Sequence, residues 1–158
     1  MIMKNKKILV RDIGKQSFSE AWEYQEKIFQ KIINQKVQNR SKDKKIETKN
    51  FLILTEHKHV YTIGKSGDVN NLLIDKDELS KKEIEYFKIN RGGDITYHGP
   101  GQIMAYPIFD LDNFFTDINL YLRKLEEVII HTLQSYGLKG FTIKGETGVW
   151  VKDENGLS

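Results

Sequence analysis

The twelve residues from Arg91 to Gln102, RGGDITYHGPGQ, hold four glycines, a proline, an arginine and a histidine, directly before the apolar run IMAYPIFDL. Glycine costs backbone entropy, so such a density marks positive-φ positions or a close approach of main chain to something else. Two readings of the stretch are open. In one, Gly92-Gly93 and Gly99-Pro100-Gly101 are a pair of β-turns bracketing a short strand, Ile95-Thr96-Tyr97. In the other, the stretch is a ligand-facing loop and strand. Arg91 then supplies a cation, Gly92 and Gly93 let the backbone touch the ligand, and His98 offers a donor or acceptor at the far end.

The flanking chain predicts what this segment is built into. Lys7 to Asp12 reads as a first strand, and Ser17-Phe18-Ser19-Glu20 has capping-box spacing. Phe18, Trp22, Phe29, Ile32, Ile33 and Val37 follow at helical spacing, which predicts a helix of about five turns burying that stripe. Trp22 is read as core packing rather than as a cofactor contact. Asn39 to Lys49 lapses into charge and is read as an exposed loop, including Lys42-Asp43-Lys44-Lys45. Phe51 to Leu54 suits a strand buried on both faces.

His57 and His59, two apart, fall on one face if the strand continues through them. No third histidine, cysteine or carboxylate is spaced to complete a metal site with them, so no metal is expected. Gly64 to Gly67 reads as a turn, without the full pattern of a phosphate loop. Asp75 to Lys88 predicts a short charged helix, then Tyr86 to Ile89 as a strand delivering Arg91. Ile103 to Leu111 predicts another strand or strand pair with Pro107 at a bend or edge. A second helix begins near Thr116 or Asp117, with the stripe Ile118, Leu122, Leu125, Val128, Ile129, Leu133 and Tyr136, and Gly137 closes it. His131 lies off that stripe, at the surface. Phe141 to Ile143 and Gly148 to Val151 read as a strand pair, and Lys152 to Ser158 as a polar turn. The order predicts an α+β fold, a mixed β-sheet with two long helices packed on it, in a single domain spanning 1–158.

Composition narrows the class. A chain of 158 residues with 39% hydrophobic and 30% charged residues is that of a globular protein with a core of its own. No apolar run approaches the ~20 residues of a membrane span, and the opening MIMKNKKILVRD is no secretory signal, so cytoplasmic residence and no membrane partner are expected. There is no cysteine, hence no disulfide and no thiolate zinc site. A net charge of +3 falls short of a nucleic-acid footprint.

RGGDITYHGPGQ followed by Pro107-Ile108-Phe109-Asp110-Leu111 resembles the signature of octanoyl-[acyl-carrier-protein]:protein octanoyltransferases, the first enzymes of lipoate biosynthesis. Glu56-His57 leading into Val60-Tyr61-Thr62-Ile63-Gly64-Lys65-Ser66-Gly67, then Asn71-Leu72-Leu73, resembles the family's upstream segment, and Thr147-Gly148-Val149-Trp150-Val151 its downstream one. The resemblance implies the catalytic-domain fold of lipoate and biotin protein ligases and an acyltransferase needing no cofactor. It implies transfer of an octanoyl group from octanoyl-acyl carrier protein to a lysine of lipoyl-carrier domains. The implied acceptors are the lipoyl domains of 2-oxoacid dehydrogenase complexes and glycine cleavage H protein. It implies that Arg91, Gly92, Gly93, Asp94, Ile95, Thr96, Tyr97 and His98 line the acyl substrate site. Asp94 enters through its backbone alone, Ile95 and Tyr97 either wall the slot or belong to the core, and His98 serves the thioester oxyanion or shields the nucleophile. The family's nucleophilic Cys, and the Lys that lowers its pKa, lie C-terminal to the Thr147–Val151 segment, which places them beyond Ser158. The expectation is therefore a chain inactive by itself.

Two other readings compete. A lipoate protein ligase shares the fold, but its motif has three consecutive glycines and a histidine followed by Asp, where this chain has Gly92-Gly93-Asp94 and His98-Gly99-Pro100. A catalytically dead relative that binds carrier protein or lipoyl domains is the other. A nucleic-acid module is disfavoured, because one RGG is no arginine-glycine tract.

Overall fold

β1 (Ile8–Gln16), α1 (Phe18–Arg40) and β2 (Asn50–His57) form a strand–helix–strand unit whose two strands pair in parallel. Parallel pairing demands a long crossover, and the helix that supplies it starts where the sequence predicts. Ser17 Oγ accepts the Glu20 N–H at 3.3 Å and Glu20 Oε2 accepts the Ser17 N–H at 3.1 Å, a complete capping box. β1 runs past its predicted end, with an irregularity between Asp12 and Lys15 where Gly14 takes φ +65°. The chain is described from a computed structural model, which covers residues 4–43, 45–153 and 156–157. It divides into two compact units, residues 1–113 and 114–158.

In the first unit, β3 (Val60–Ile63), α2 (Lys76–Lys81), β4 (Glu85–Lys88) and β5 (Ile95–His98) follow β2. β3 lies at the centre of a second small sheet, parallel to β4 and antiparallel to β5. β6 (Ile103–Ile108) returns to the first sheet and pairs antiparallel with β2, giving the order β1-β2-β6. Pro107 falls on β6, an edge strand, where a missing N–H is tolerated. The predicted mixed α+β layering is therefore present, with the strands divided among small sheets.

Several expectations need correction. Of the α1 stripe, Phe18 and Ile32 are buried, as is Ala21, but Trp22, Phe29, Ile33 and Val37 are exposed. A helix of 23 residues is about 35 Å long, whereas the eight residues of β2 span about 27 Å. The helix overruns the sheet it crosses and cannot bury its whole stripe there. His57 and His59 do not share a strand face, because β2 ends at His57 and the chain turns through Lys58 and His59 into β3. The loop expected from Asn39 to Lys49 is exposed at Lys42, Asp43 and Lys45, but Asn39 and Arg40 belong to α1 and Thr48 is buried, while Lys44 lies outside the described residues.

The second unit contains α3 (Ile118–Ser135), β7 (Gly140–Phe141), β8 (Trp150–Asp153) and β9 (Gly156–Leu157). Asp117 caps α3 by accepting the Leu120 N–H at 3.0 Å. At its end the Gly137 N–H donates to Gln134 and the Leu138 N–H to Leu133, with Gly137 at φ +78°, the left-handed termination that glycine favours. His131 is exposed as expected, but so are Ile118, Val128, Ile129 and Tyr136 of the predicted stripe. The strand beside α3 is two residues long, too short to cover it. The predicted polar turn at the C-terminus instead pairs β8 with β9, Lys152 opposite Leu157, while residues 154, 155 and 158 lie outside the described set.

Candidate functional site

Cross-strand register sorts the second sheet into two faces. Thr96 of β5 sits opposite Thr62 of β3, which sits opposite Phe87 of β4, and His98 sits opposite Val60. This is the inner face, the one that meets α1, since Phe87 packs against Phe18 with ring centroids 5.0 Å apart. Burial alone does not separate the faces, because Val60, Thr62 and, on the other face, Ile63 are all fully buried. The alternate row, Tyr86, Tyr61 and Tyr97, lies on the outer face. There Tyr97 packs on Tyr61 and its hydroxyl bonds His59 Nδ1, leaving the residue 44% exposed. Period-two alternation thus assigns Thr96 and His98 inward and Ile95 and Tyr97 outward.

The loop before β5 is locked to the turn after β3. Lys65 N–H donates to Arg91 O at 2.9 Å and Gly64 N–H to Asp94 O at 3.2 Å. Gly64 has no room for a side chain, since a Cβ there would meet the Gly93 carbonyl oxygen at 2.1 Å. Gly93 itself holds φ +79°, as the glycine density predicts. Asp94, for which only a backbone role was expected, also uses its carboxylate: it accepts the Asp68 N–H at 3.0 Å and bonds the Asn71 side chain. Arg91 is not a free cation. Its guanidinium donates to Thr62 O at 2.7 Å, to Thr62 Oγ1 at 3.0 Å and to Gly92 O at 2.9 Å, so the fork clamps the loop onto β3.

A cleft of about 500 Å³ opens beside this inner face. Arg91, Thr96 and His98 form one wall, with Ile89 and Asn90 before them. Phe18, Trp22 and Gln25 of α1 form a second, and Met104 and Tyr106 of β6 a third. The helical residues are spaced i, i+4, i+7 and the β6 pair i, i+2, so each wall is one face of its element. Trp22 meets Phe18 edge-on at 5.5 Å between centroids and stays 39% exposed. Apolar walls with a few convergent polar groups are the ordinary build of a small-molecule site.

Tyr106 of the third wall pairs with a histidine buried behind it. His57, fully buried, has Nε2 2.7 Å from the Tyr106 hydroxyl. Burial pushes the imidazole below its ordinary pKa, with His98 assisting and the Gln16 backbone and Glu85 opposing. Burial pushes the Tyr106 phenol up to about 12, against an opposing hydrogen bond from Gln25. At neutral pH the pair is therefore a neutral imidazole on a protonated phenol. His98 Nδ1 is 2.8 Å from Gln102 Oε1, which fixes its ring plane at the turn into β6.

Of the eight residues expected to line the site, three reach the cleft: Arg91, Thr96 and His98. Gly92, Gly93 and Asp94 build the loop that carries them, and Ile95 and Tyr97 face away. Sequence reasoning missed the α1 and β6 walls. Their signals were present in the spacing of Phe18, Trp22 and Gln25 and in the alternation of Met104 and Tyr106, but both patterns also suit core. Among the described residues no group of three histidines or carboxylates is placed to hold a metal.

A second cavity of about 310 Å³ in the same unit has a different character. Asp110 accepts from Lys36 Nζ at 2.5 Å and from Thr48 Oγ1 at 2.6 Å, while its N–H donates to Asn50 Oδ1 at 3.0 Å. Asn113 Nδ2 donates to Thr48 Oγ1 at 3.0 Å, and its Oδ1 accepts the Asn5 N–H at 3.1 Å. Burial disfavours the Asp110 charge, yet Lys36, Thr48 and the Asp112 N–H together hold its carboxyl below the usual value.

The α+β fold, with its mixed strands and packed helices, is shared with solved lipoate protein ligases. The chain superposes on a bipartite lipoate protein ligase from Thermoplasma acidophilum with a TM-score of 0.55 and 20% identity, over 90% of this chain and 50% of that one. It superposes on Plasmodium falciparum LipL1 in complex with lipoate with a TM-score of 0.58 and 17% identity, over 87% and 39%. The chain belongs to the lipoyl protein ligase A/B catalytic domain family, whose model matches residues 17–155. It is 56% identical to an octanoyltransferase of Christiangramia forsetii and 55% identical to one of Flavobacterium johnsoniae, over 93% of this chain in each case. It is 50% identical to an octanoyltransferase of Cytophaga hutchinsonii over 97% of this chain. The chain spans 63–64% of the length of these relatives.

Proposed function

We propose that this chain forms the acyl-binding part of an octanoyltransferase of lipoate biosynthesis, working in the cytoplasm. The observation that carries the reading is the cleft itself: a space of about 500 Å³, walled by Phe18, Trp22, Ile89 and Met104, with Arg91, Thr96 and His98 of the signature along one side. At ~0.8 kcal/mol per methylene, sheltering an octanoyl chain there is worth roughly 5 kcal/mol. The kinship with curated octanoyltransferases supports the choice of acyl group.

The donor in this reading is octanoyl-acyl carrier protein, and the acceptor is a lysine of a lipoyl domain or of glycine cleavage H protein. A cysteine thiolate attacks the thioester carbonyl and the carrier's thiol leaves. The lysine amine then attacks the acyl-enzyme, forming the amide and returning the thiol with its proton. Thioester exchange is nearly neutral and thioester to amide is downhill, so no nucleotide is needed and covalent catalysis divides the transfer into two steps. With Nδ1 donating to Gln102 Oε1, Nε2 of a neutral His98 ring offers a lone pair that shields or accepts from the thiol. Only the doubly protonated ring donates to the carbonyl oxygen. Arg91, Gly92, Gly93 and Asp94 fix the loop, Thr96 borders the chain, and Ile95 and Tyr97 back the strand from its outer face. The 158 residues contain no cysteine, so the thiolate is not among them.

The test has two arms on this chain. An octanoyl thioester of a short thiol should bind, measured by calorimetry, and a bulky Thr96→Trp substitution should abolish the binding. A transfer assay with octanoyl-acyl carrier protein and a lipoyl domain should give no turnover above background. Turnover at the rate of an intact enzyme would reject the cysteine route, and absence of thioester binding would reject the acyl site.

A further inference from the structure

Trp22 is the one large aromatic side chain of the cleft that is not packed away. Phe18, one turn earlier on the same helical face, is 7% exposed and wedged among Phe87, His57 and Trp22. Trp22 packs edge-to-face with Phe18, is 39% exposed, and lines the space that Thr96 and His98 border from β5. A tryptophan standing partly in water at the edge of an apolar cleft gives up burial that a ligand can restore. Two of the other lining side chains are already committed: Tyr106 is held by His57, and Arg91 is spent on Thr62.

We propose that Trp22 is the residue that sets acyl-chain selectivity in this cleft, its indole being the surface against which the methylenes lie and the bulk that limits the length accepted. The proposal rests on the acyl reading of the cleft and adds to it a determinant on α1, outside the glycine-rich signature. Each methylene sheltered is worth a factor of about four in affinity, so removing the indole both loses contact with a short chain and opens room for a longer one.

The experiment titrates the 158-residue chain with octanoyl, decanoyl and dodecanoyl thioesters of N-acetylcysteamine, comparing the unsubstituted protein with Trp22→Ala and Trp22→Phe. Trp22→Ala should weaken octanoyl binding about tenfold, the equivalent of roughly two methylenes, and move the preference to dodecanoyl. Trp22→Phe should fall between, which keeps the test alive if the alanine variant folds poorly. In a Trp150→Phe background Trp22 is the sole tryptophan, and its emission should shift to the blue on octanoyl binding. Unchanged rank order in both variants, with no emission change while heat is still released and Thr96→Trp still blocks binding, would overturn the role of Trp22 and leave the acyl cleft standing. No binding of any thioester to the unsubstituted chain would overturn the acyl reading and this inference together.

Discussion

Two cavities in the first unit make an instructive pair. The smaller one is bordered by Lys36, Thr48, Asp110 and Asn113, which bond one another or the neighbouring Asn50 and join the loop before β2 to the segment after β6. Its lining also holds the charged side chains of Lys4, Arg40, Lys45 and Glu47. The larger one presents mostly apolar surface, with Phe18, Trp22, Ile89 and Met104 in its lining beside polar side chains, and keeps an exposed indole. A buried polar network whose members are paired fixes geometry and has little left to offer a ligand. An apolar cleft bordered by partly exposed surface still has hydrophobic free energy to gain. The volume of a cavity therefore says less than whether its walls are already in use. By that criterion the Asp110 cluster is architecture, and the α1–β5–β6 cleft is where we propose the acyl chain binds.

The sharpest way to break this distinction is at the loop that carries Arg91. Gly64→Ala would drive a methyl into the Gly93 carbonyl, with the Gly92 oxygen at 2.9 Å as well, so the loop and turn must part. We expect a loss of about 4 kcal/mol in urea unfolding together with loss of thioester binding. If the two properties separate, the loop does not shape the cleft.

Asp110→Ala should behave oppositely in the second respect. Leaving Lys36 and Thr48 without their buried partner should cost about 3 kcal/mol, while any protein that remains folded binds the thioester with unchanged affinity. Because the folded Asp110 carboxyl sits below its ordinary value, its contribution is present above the unfolded pKa. It is lost as pH falls through the folded one. The unsubstituted chain should therefore lose stability on acidification below about pH 4 more steeply than Asp110→Ala.

Asp94→Ala removes two acceptor contacts from an exposed site and should cost about 1–2 kcal/mol. It should also weaken thioester binding by loosening the Arg91 loop. A smaller effect is expected from His57. Its pKa is lowered by burial, so the unfolded chain binds the extra proton first as pH falls below about 6.5. Stability should decline from there down to the folded pKa. His57→Gln should flatten that part of the pH profile, measured as thermal midpoint against pH.

What could be read from residues alone divides along a physical line. Local signals were legible: the Ser17–Glu20 capping box, the Gly137 helix end, Pro107 at an edge and the positive φ at Gly93 all depend on a few neighbouring atoms. The motif resemblance carried the family, because it compares residues in order rather than in space. Which face of β5 meets the cleft was not legible, since alternation in Ile95-Thr96-Tyr97-His98 gives two sets and only pairing with β3 says which one is inward. The walls from α1 and β6 were illegible for a related reason. Phe18 and Trp22 share one stripe, and only the packed fold separates the buried ring from the one left at the cleft.

The central claim is that an acyl chain lies along the inner face of β5, between α1 and β6. Photo-crosslinking with an octanoyl thioester carrying a diazirine at the end of its chain, followed by peptide mapping, tests it directly. Labels should fall on Trp22, Thr96, His98 or Met104. Labels confined to Ile95 and Tyr97, or to the Lys36–Asp110 cavity, would contradict it.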